Sequence, residues 1–255
     1  MNSYTATPSL YSRCVRLPKK LAGVILAAAG LATLPQLAAA QQVLVQANVA
    51  DDTVKTMFGA NRSYFGHLYA GYGLVAGPAG TGAGVRYGVG SSDLRVGGRL
   101  KFRFTQTLAL NLDLGYSYIR YELAQNGQKI VPTPDLHRRE SLGLHQLYSE
   151  ASLRLNAGRR GNTIGNYLDL LAGGGWVVGT NRVTEDEPAP GIRSVQTTER
   201  GLPYLRRWTG SVGARLGADR YALVGRYRLT PVFGSSYANW PELPRLVLGL
   251  EIGLF

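Results

Sequence analysis

The sequence predicts an all-β protein, a transmembrane antiparallel up-and-down β-barrel of eight strands. Three observations lead to this prediction. The N-terminus has the organisation of an export signal, apolar residues after it recur at every second position in eight segments, and the connections between those segments are alternately short and long. Membrane barrels have short turns on the periplasmic side and longer loops outside, which produces this alternation of lengths.

Residues 1–40 have the pattern of a cleaved secretory signal peptide. A positively charged stretch precedes the apolar run LAGVILAAAGLATLPQL, and the alanines at 38–40 fit a cleavage site. An uncleaved membrane anchor is the alternative, which the Gly, Pro and small-residue content disfavours. The single cysteine, Cys14, lies in this segment. The mature chain is therefore expected to have no disulfide, no thiol chemistry and no cysteine-based metal site.

Residues 41–61 are expected to form a periplasmic lead-in or a small plug, and the barrel is predicted over 62–255. The chain carries 28 Lys and Arg residues against 16 Asp and Glu, a formal net charge of +12. A basic protein outside the cytoplasm meets acidic lipid headgroups or polysaccharide more readily than nucleic acid, so no nucleic-acid partner is expected. After residue 40, the longest uncharged apolar run, at 170–179, has about half the length that a spanning helix needs.

The strands are identified by period-2 alternation of apolar and polar residues. In the stretch LRVGGRLKFRF at 94–104 the basic residues share one parity, and after TQT the alternation resumes over 108–118, which predicts a β-hairpin. The other six predicted strands are 63–76, 146–156, 167–178, 207–217, 220–229 and 245–255. The short connections are 105–107, 158–166 and 218–219, and the long ones are 77–92, 124–145, 179–206 and 230–244.

The position of the aromatic residues indicates what each parity faces. A soluble sheet would turn its apolar parity to a core, whereas a membrane barrel turns it to lipid. On the apolar parity, Phe102, Phe104 and Tyr221 lie beside the short turns, and Tyr116, Tyr118, Trp176, Trp208 and Tyr227 lie beside the long loops. Two aromatic girdles flanking an aliphatic band are typical of a bilayer boundary. The polar parity is therefore expected to face the lumen.

The lumen is predicted to hold a network of charged side chains, because an eight-stranded barrel is only wide enough for side chains to fill it and buried charges need partners. Slipping strand 94–104 by one residue would turn four basic side chains toward lipid at roughly 2 to 4 kcal/mol each, so the register is strongly determined. The predicted members are Arg95, Arg99, Lys101, Arg103, Asp113, Glu150, Arg154, Asp169, Arg215, Arg226, Arg228 and Glu251. Arg207 has the same parity. Basic residues outnumber acids, so water, anions or positions near the rim are expected for the surplus.

Four stretches, LHQLYSEASLRLNAG, NYLDLLAGGGWVVG, ALVGRYRLTPVF and LVLGLEIGLF, carry a family resemblance. The chain from about residue 60 to 255 resembles the small outer-membrane barrels of the OmpA- and OmpX-like group, and these stretches resemble the outer-membrane β-barrel domain family that includes PorT-like proteins. The resemblance implies a place in the cell outer membrane, contact with its lipid, and an assembly machinery that recognises the terminal Phe255. Phe255 departs from the family pattern because it shares parity with Glu251 rather than with Leu254.

The sequence contains no recognised catalytic, cofactor-binding or metal-ligating motif. His137, Glu140, Ser141 and His145 cluster in a long connection, but their spacing matches neither a metal site nor a hydrolase. We therefore expect a non-enzymatic integral outer-membrane protein with an envelope-structural or secretion-accessory role and a possible envelope protein partner. A narrow, weakly anion-selective pore is the second hypothesis, and a lipid-modifying enzyme is the third.

Overall fold

The computed structural model describes residues 56–158, 161–187 and 193–255. Within these ranges the chain is all-β except for one short 3-10 turn at Ser235–Tyr237, and eight antiparallel strands close into a barrel, as the sequence predicts. Residues 56–255 form one compact unit. The predicted signal peptide and residues 41–55 of the predicted lead-in lie outside the described residues. No helix in the described ranges has the length and apolar content needed to cross a membrane.

Each barrel strand pairs with its neighbours in chain order, and pairing of the first strand with the last closes the barrel. The strands are β1 Tyr64–Ala76, β2 Ser92–Arg103, β3 Leu108–Glu122, β4 Arg139–Asn156, β5 Asn166–Asp186, β6 Val195–Arg200, β7 Trp208–Ala218, β8 Tyr221–Arg228 and β9 Leu246–Leu254. The barrel contains all of these except β6, which pairs with the far end of β5 in a hairpin. We call the end with the short connections the turn end and the opposite end the loop end.

Strands β4 and β5 are longer than the sequence indicates. β4 begins at Arg139 instead of residue 146, β5 continues to Asp186 instead of ending at 178, and β6 lies inside a segment predicted as loop. These extensions, RESLGLH and GTNRVTED, have no regular apolar alternation because they continue past the aromatic girdle. Their strand conformation comes from pairing with each other, as in the Leu142 and Arg182 pair, which a local pattern does not reveal.

The wall of the barrel is apolar outside and polar inside. Leu100 is 54% exposed, whereas the next side chain along β2, Lys101, is 1% exposed. On β3 the outward-facing residues run from Leu108 to Tyr118, about 33 Å along the strand at ~3.3 Å per residue, or about 25 Å along the barrel axis at a ~40° tilt. This height equals the apolar band of outer-membrane barrels, about 25 Å.

Both ends of the barrel are covered. At the loop end all four long connections contribute buried apolar side chains to one cluster, which we call the loop cap. Its members from these connections are Ala83, Val85, Leu123, Val131, Leu202, Leu205, Val232, Phe233 and Leu243. Backbone hydrogen bonds join the connections to one another, including Gly80 N–H to the Glu242 carbonyl at 2.8 Å.

At the turn end, residues 56–62 contact the β4–β5 connection. The side-chain amide of Asn61 donates to the Gly161 carbonyl at 2.8 Å, and the Asn61 backbone N–H donates to the side chain of Asn162 at 3.1 Å. Phe58 packs against Tyr64 and Phe65 with ring centroids 5.6 Å apart in both pairs. The described residues 56–62 therefore pack against the turn end of the barrel, and we call them the turn-end plug.

Candidate functional site

The centre of the lumen is the guanidinium of Arg215 on β7, which is fully buried. It donates to Asp169 at 2.9 Å, Glu150 at 3.1 Å and Asp113 at 3.2 Å. Glu251 lies 2.8 Å from Nε but out of line for a hydrogen bond, so that contact is ionic. The four carboxylates come from β3, β4, β5 and β9, so one side chain links five strands across the lumen.

Two further arginines hold the same carboxylates from other directions. Arg99 on β2 binds Asp113 through two donors, with contacts of 2.8 to 3.0 Å, and donates to Glu251 at 3.0 Å. Arg226 on β8 donates to Glu251 at 2.6 Å and to Glu150 at 3.0 Å. Forked arginine–carboxylate contacts of this kind fix geometry as well as charge.

The edges of the network are two more ion pairs. Arg154 binds Asp169 through two donors at 2.7 and 2.8 Å. Arg95 donates to Asp93 at 2.7 Å, and Asp93 also accepts from the Ser117 hydroxyl at 2.7 Å. Asp93 is 2% exposed and lies one residue before the stretch 94–104 from which the lumen residues of this strand are predicted, so it is not among the predicted members.

With Asp93 included, this interior network balances in charge. Five arginines meet five carboxylates in one connected set, which we call the lumen network: Arg95, Arg99, Arg154, Arg215 and Arg226 with Asp93, Asp113, Glu150, Asp169 and Glu251. Burying a charge costs several kcal/mol unless it is paired and hydrogen-bonded, and every member here has an opposite charge within 4.0 Å. The network can therefore exist without a bound counter-ion.

The remaining predicted lumen residues lie toward the two ends. Lys101 donates to the Ala60 carbonyl and Arg103 to the Asn61 side chain, so both basic groups contact the turn-end plug. At the loop end, Arg228 donates to Glu242 at 2.8 Å and to the Thr230 carbonyl at 2.6 Å. The basic surplus that the sequence implied is thus held by polar groups of the plug and the loops. Arg207 precedes β7 and is exposed, so it lies outside this set.

Tyrosine rings stack on the network and fill the space that the guanidinium groups leave. Arg99 lies 4.4 Å from the ring centroid of Tyr69, and Arg95 lies 4.7 Å from that of Tyr148. The two tyrosine hydroxyls form a hydrogen bond of 2.6 Å. Tyr148 reaches the β2–β3 wall at Gly115, where a Cβ atom would lie 2.6 Å from the hydroxyl oxygen and 2.3 Å from the Val96 carbonyl oxygen. Glycine is required there because any side chain would displace the ring.

The loop cap contains its own buried ion pairs. Glu140 is fully buried and pairs with Lys129 and with Arg182, the latter at 2.6 Å. Between the cap and the lumen network lies a cavity of about 40 Å³, lined by Arg95, Arg226 and other side chains, which has room for a few water molecules. The cap, the network and the plug follow one another along the barrel axis.

The structure separates the four residues that cluster in sequence around 137–145. Glu140 points into the cap, whereas His145 hydrogen-bonds the Tyr116 hydroxyl and stacks on Tyr118 at 4.6 Å. His137 pairs with Asp186 at 2.9 Å. Ser141 is a buried residue of β4. Across the part of the chain that is described, no group of three or more His, Cys, Asp or Glu side chains is arranged to hold a metal ion.

The terminal Phe255 packs at the turn end. Its ring lies 5.2 Å from the His67 ring and 5.7 Å from the Phe65 ring, and Arg220 lies 5.2 Å above it. Phe65 and His67 have the lumen parity of β1, in line with the parity that Phe255 shares with Glu251. The ring is 46% exposed, so part of it stays accessible.

Comparison with known proteins adds no relative to these observations. No protein-family model matches the chain, and no curated protein is significantly similar to it.

Proposed function

We propose that the protein is a non-enzymatic integral outer-membrane β-barrel with a closed interior, which presents its loop cap and its turn-end plug to partners in the cell envelope. The observation that carries this proposal is the combination of an apolar exterior about 25 Å high with a lumen filled by ion pairs. The predicted signal peptide supports export. The likeness to PorT-like barrels supports the outer membrane as the location and a secretion-accessory or structural role.

The exterior matches a bilayer in its aromatic residues as well as its height. Phe104 and Tyr221 are 64% and 66% exposed near the turn end, and Trp208 is 67% exposed near the loop end. Rings of this kind favour the two membrane–water interfaces. In water such a surface would be an extended apolar patch that favours aggregation. We expect the refolded chain to float with lipid vesicles and to migrate differently on gels before and after boiling; a monomeric, water-soluble product would overturn the membrane assignment.

The closed interior distinguishes this function from that of a pore. Because the five arginines of the lumen network are matched by five carboxylates, the described part of the lumen presents no row of unpaired arginines that could conduct anions. Single-channel recording of the protein in a planar bilayer should show no steady conductance. A steady current that changes on Arg99→Gln or Arg226→Gln substitution would replace this proposal with a narrow anion-selective pore.

The end that binds a partner can be found by crosslinking. The sequence after residue 40 has no cysteine, so a single introduced thiol has no background. Val89 on a long connection is 79% exposed, and Met57 in the turn-end plug is 61% exposed. Val89→Cys and Met57→Cys variants carrying the same photo-crosslinker in intact cells should capture an envelope protein from one end but not the other. Absence of any capture from both positions would favour a purely structural role.

A further inference from the structure

A pocket opens in the side of the barrel at the point where β5 and β7 separate. Their ladder ends at the Trp176 and Trp208 pair. β5 has an irregularity in register beside this point, where Val178 is skipped between the partners of His145 and Gln146. Bulges of this kind bend a strand away from its neighbour. Residues 202–206 leave the sheet on the other side, and the gap between the two segments is a cavity of about 410 Å³.

The floor and the rim of this lateral pocket differ in chemistry. Leu202, Leu205 and Val177 line it and are each less than 9% exposed, so the floor is apolar and belongs to the loop cap. Arg206 and Arg207 line it as well. A volume of about 410 Å³ lies within the range of pockets that hold small molecules, roughly 300 to 1,000 Å³.

The two arginines of the pocket have no anionic partner in the described ranges. Two described acids of the loop end are paired with other arginines, Glu199 with Arg182 and Glu242 with Arg228. The Nε atom of Arg206 is buried and has no hydrogen-bond acceptor. A buried donor without an acceptor costs free energy, and an anion in the pocket would remove that cost. An arginine guanidinium suits phosphate, because its forked N–H groups can donate two parallel hydrogen bonds to phosphate oxygens.

The height of the pocket indicates the source of the phosphate. The Trp176 and Trp208 rings, stacked with centroids 6.0 Å apart, belong to the loop-end girdle, and Trp176 also lines the pocket. Tryptophan rings lie at the level of lipid headgroups. A phosphate bound to Arg206 and Arg207 would therefore be at headgroup level, with the apolar floor beside the attached glycerol or sugar.

We propose that this lateral pocket is a binding site for the phosphate headgroup of a membrane lipid, held by Arg206 and Arg207. The assignment rests on the membrane insertion proposed above. Basic pockets at the membrane surface bind anionic headgroups in the same way, by charge and by apolar contact together. The lipid would contact the cap through Leu202 and Leu205 and so would hold the loops closed.

The test is a binding titration with the full-length protein refolded in detergent. The probe is dioctanoyl phosphatidic acid, followed by native mass spectrometry and by tryptophan fluorescence, since Trp176 lines the pocket. The test variant is Arg206→Gln/Arg207→Gln. The matched control is Arg62→Gln/Arg193→Gln, which removes two exposed arginines away from the pocket lining. We expect one saturable lipid for the wild type and the control, and binding at least ~10-fold weaker for the test variant, because charge-assisted hydrogen bonds are lost.

Each other outcome overturns the assignment. Equal binding by the test variant would show that the arginines do not hold the lipid. Equal binding of dioctanoylglycerol would show that phosphate is not recognised, and full displacement by an equal concentration of inorganic phosphate would identify a free-anion site instead. The gel shift and vesicle flotation are measured on the same samples. A protein that inserts but binds no phosphatidic acid refutes only the pocket, whereas a protein that fails to insert refutes the proposed function.

Discussion

Replacing Arg215 by methionine removes the centre of the lumen network and leaves five carboxylates facing four arginines. Each of the four carboxylates around Arg215 keeps another partner, for example Arg99 at Asp113 and Arg154 at Asp169. The loss is therefore smaller than the sum of its bonds. Removing one member of a buried ion pair typically costs about 3 to 5 kcal/mol. Arg215 is fully buried, so we expect a loss of unfolding free energy in the upper part of that range.

The assay is denaturant unfolding of the protein in lipid vesicles, followed by tryptophan fluorescence. Arg103→Met is the matched control, because Arg103 is half-buried near the turn end and has a 3.3 Å contact with Asn61. That change should cost about 1 kcal/mol or less. Arg215→Lys should lie between the two, since it keeps the charge but loses the planar fork. A loss for Arg215→Met no greater than that for Arg103→Met would refute the assigned role of the network.

Three further predictions concern the wall, the cap and the C-terminus. Gly115→Ala places a Cβ atom against the Val96 carbonyl and the Tyr148 hydroxyl, whereas the Cβ atom added by Gly127→Ala has nothing within 4 Å. The first change should therefore lower the free energy of unfolding several times more than the second, and comparison of the two denaturation midpoints checks this. Burial raises the pKa of Tyr204 from 10.0 to about 12, so on raising the pH the unfolded chain loses this proton before the folded chain does. The free energy of unfolding should therefore fall as pH rises through that interval. Tyr204→Phe should remove this contribution to the fall, as measured by unfolding curves over a series of pH values. Deleting Phe255 should leave refolding in detergent intact, since the ring is half exposed, but should lower the yield of heat-modifiable barrel in cells; unchanged cellular yield would show that Phe255 is not an assembly signal.

The barrel could be predicted from sequence because its signal is local. A strand with an apolar face on one side and a charged face on the other alternates at every second residue, and the sequence shows this over 94–104 and 108–118. The exposed Leu100 and buried Lys101 follow directly from that pattern. The turn-end limits of the strands are equally clear, because short polar turns interrupt the alternation there.

The closure of the lumen could not be read from the sequence in the same way. Asp93 follows two serines, and Glu242 lies between Pro241 and Pro244, so neither position suggests an acid that pairs with a lumen arginine. The cap residues Val131 and Leu243 lie in connections without regular apolar alternation, each directly before a proline, and their burial depends on loops that meet only in three dimensions. One available signal was missed: each of the four long connections carries apolar residues, which solvated loops do not need.

The seam between β1 and β9 gives the lumen network a consequence for assembly. Glu251 lies on the last strand, β9, and forms ion pairs with Arg99, Arg215 and Arg226, which lie on strands earlier in the sequence. Before β9 docks, these three guanidinium groups lack one shared anion and the other four carboxylates face five arginines. An open sheet would thus need water in its interior to solvate the excess charge. Pairing of β9 with β1 supplies the missing carboxylate, and the interior then no longer needs this water. Release of water from the lumen and closure of the barrel are therefore a single cooperative event.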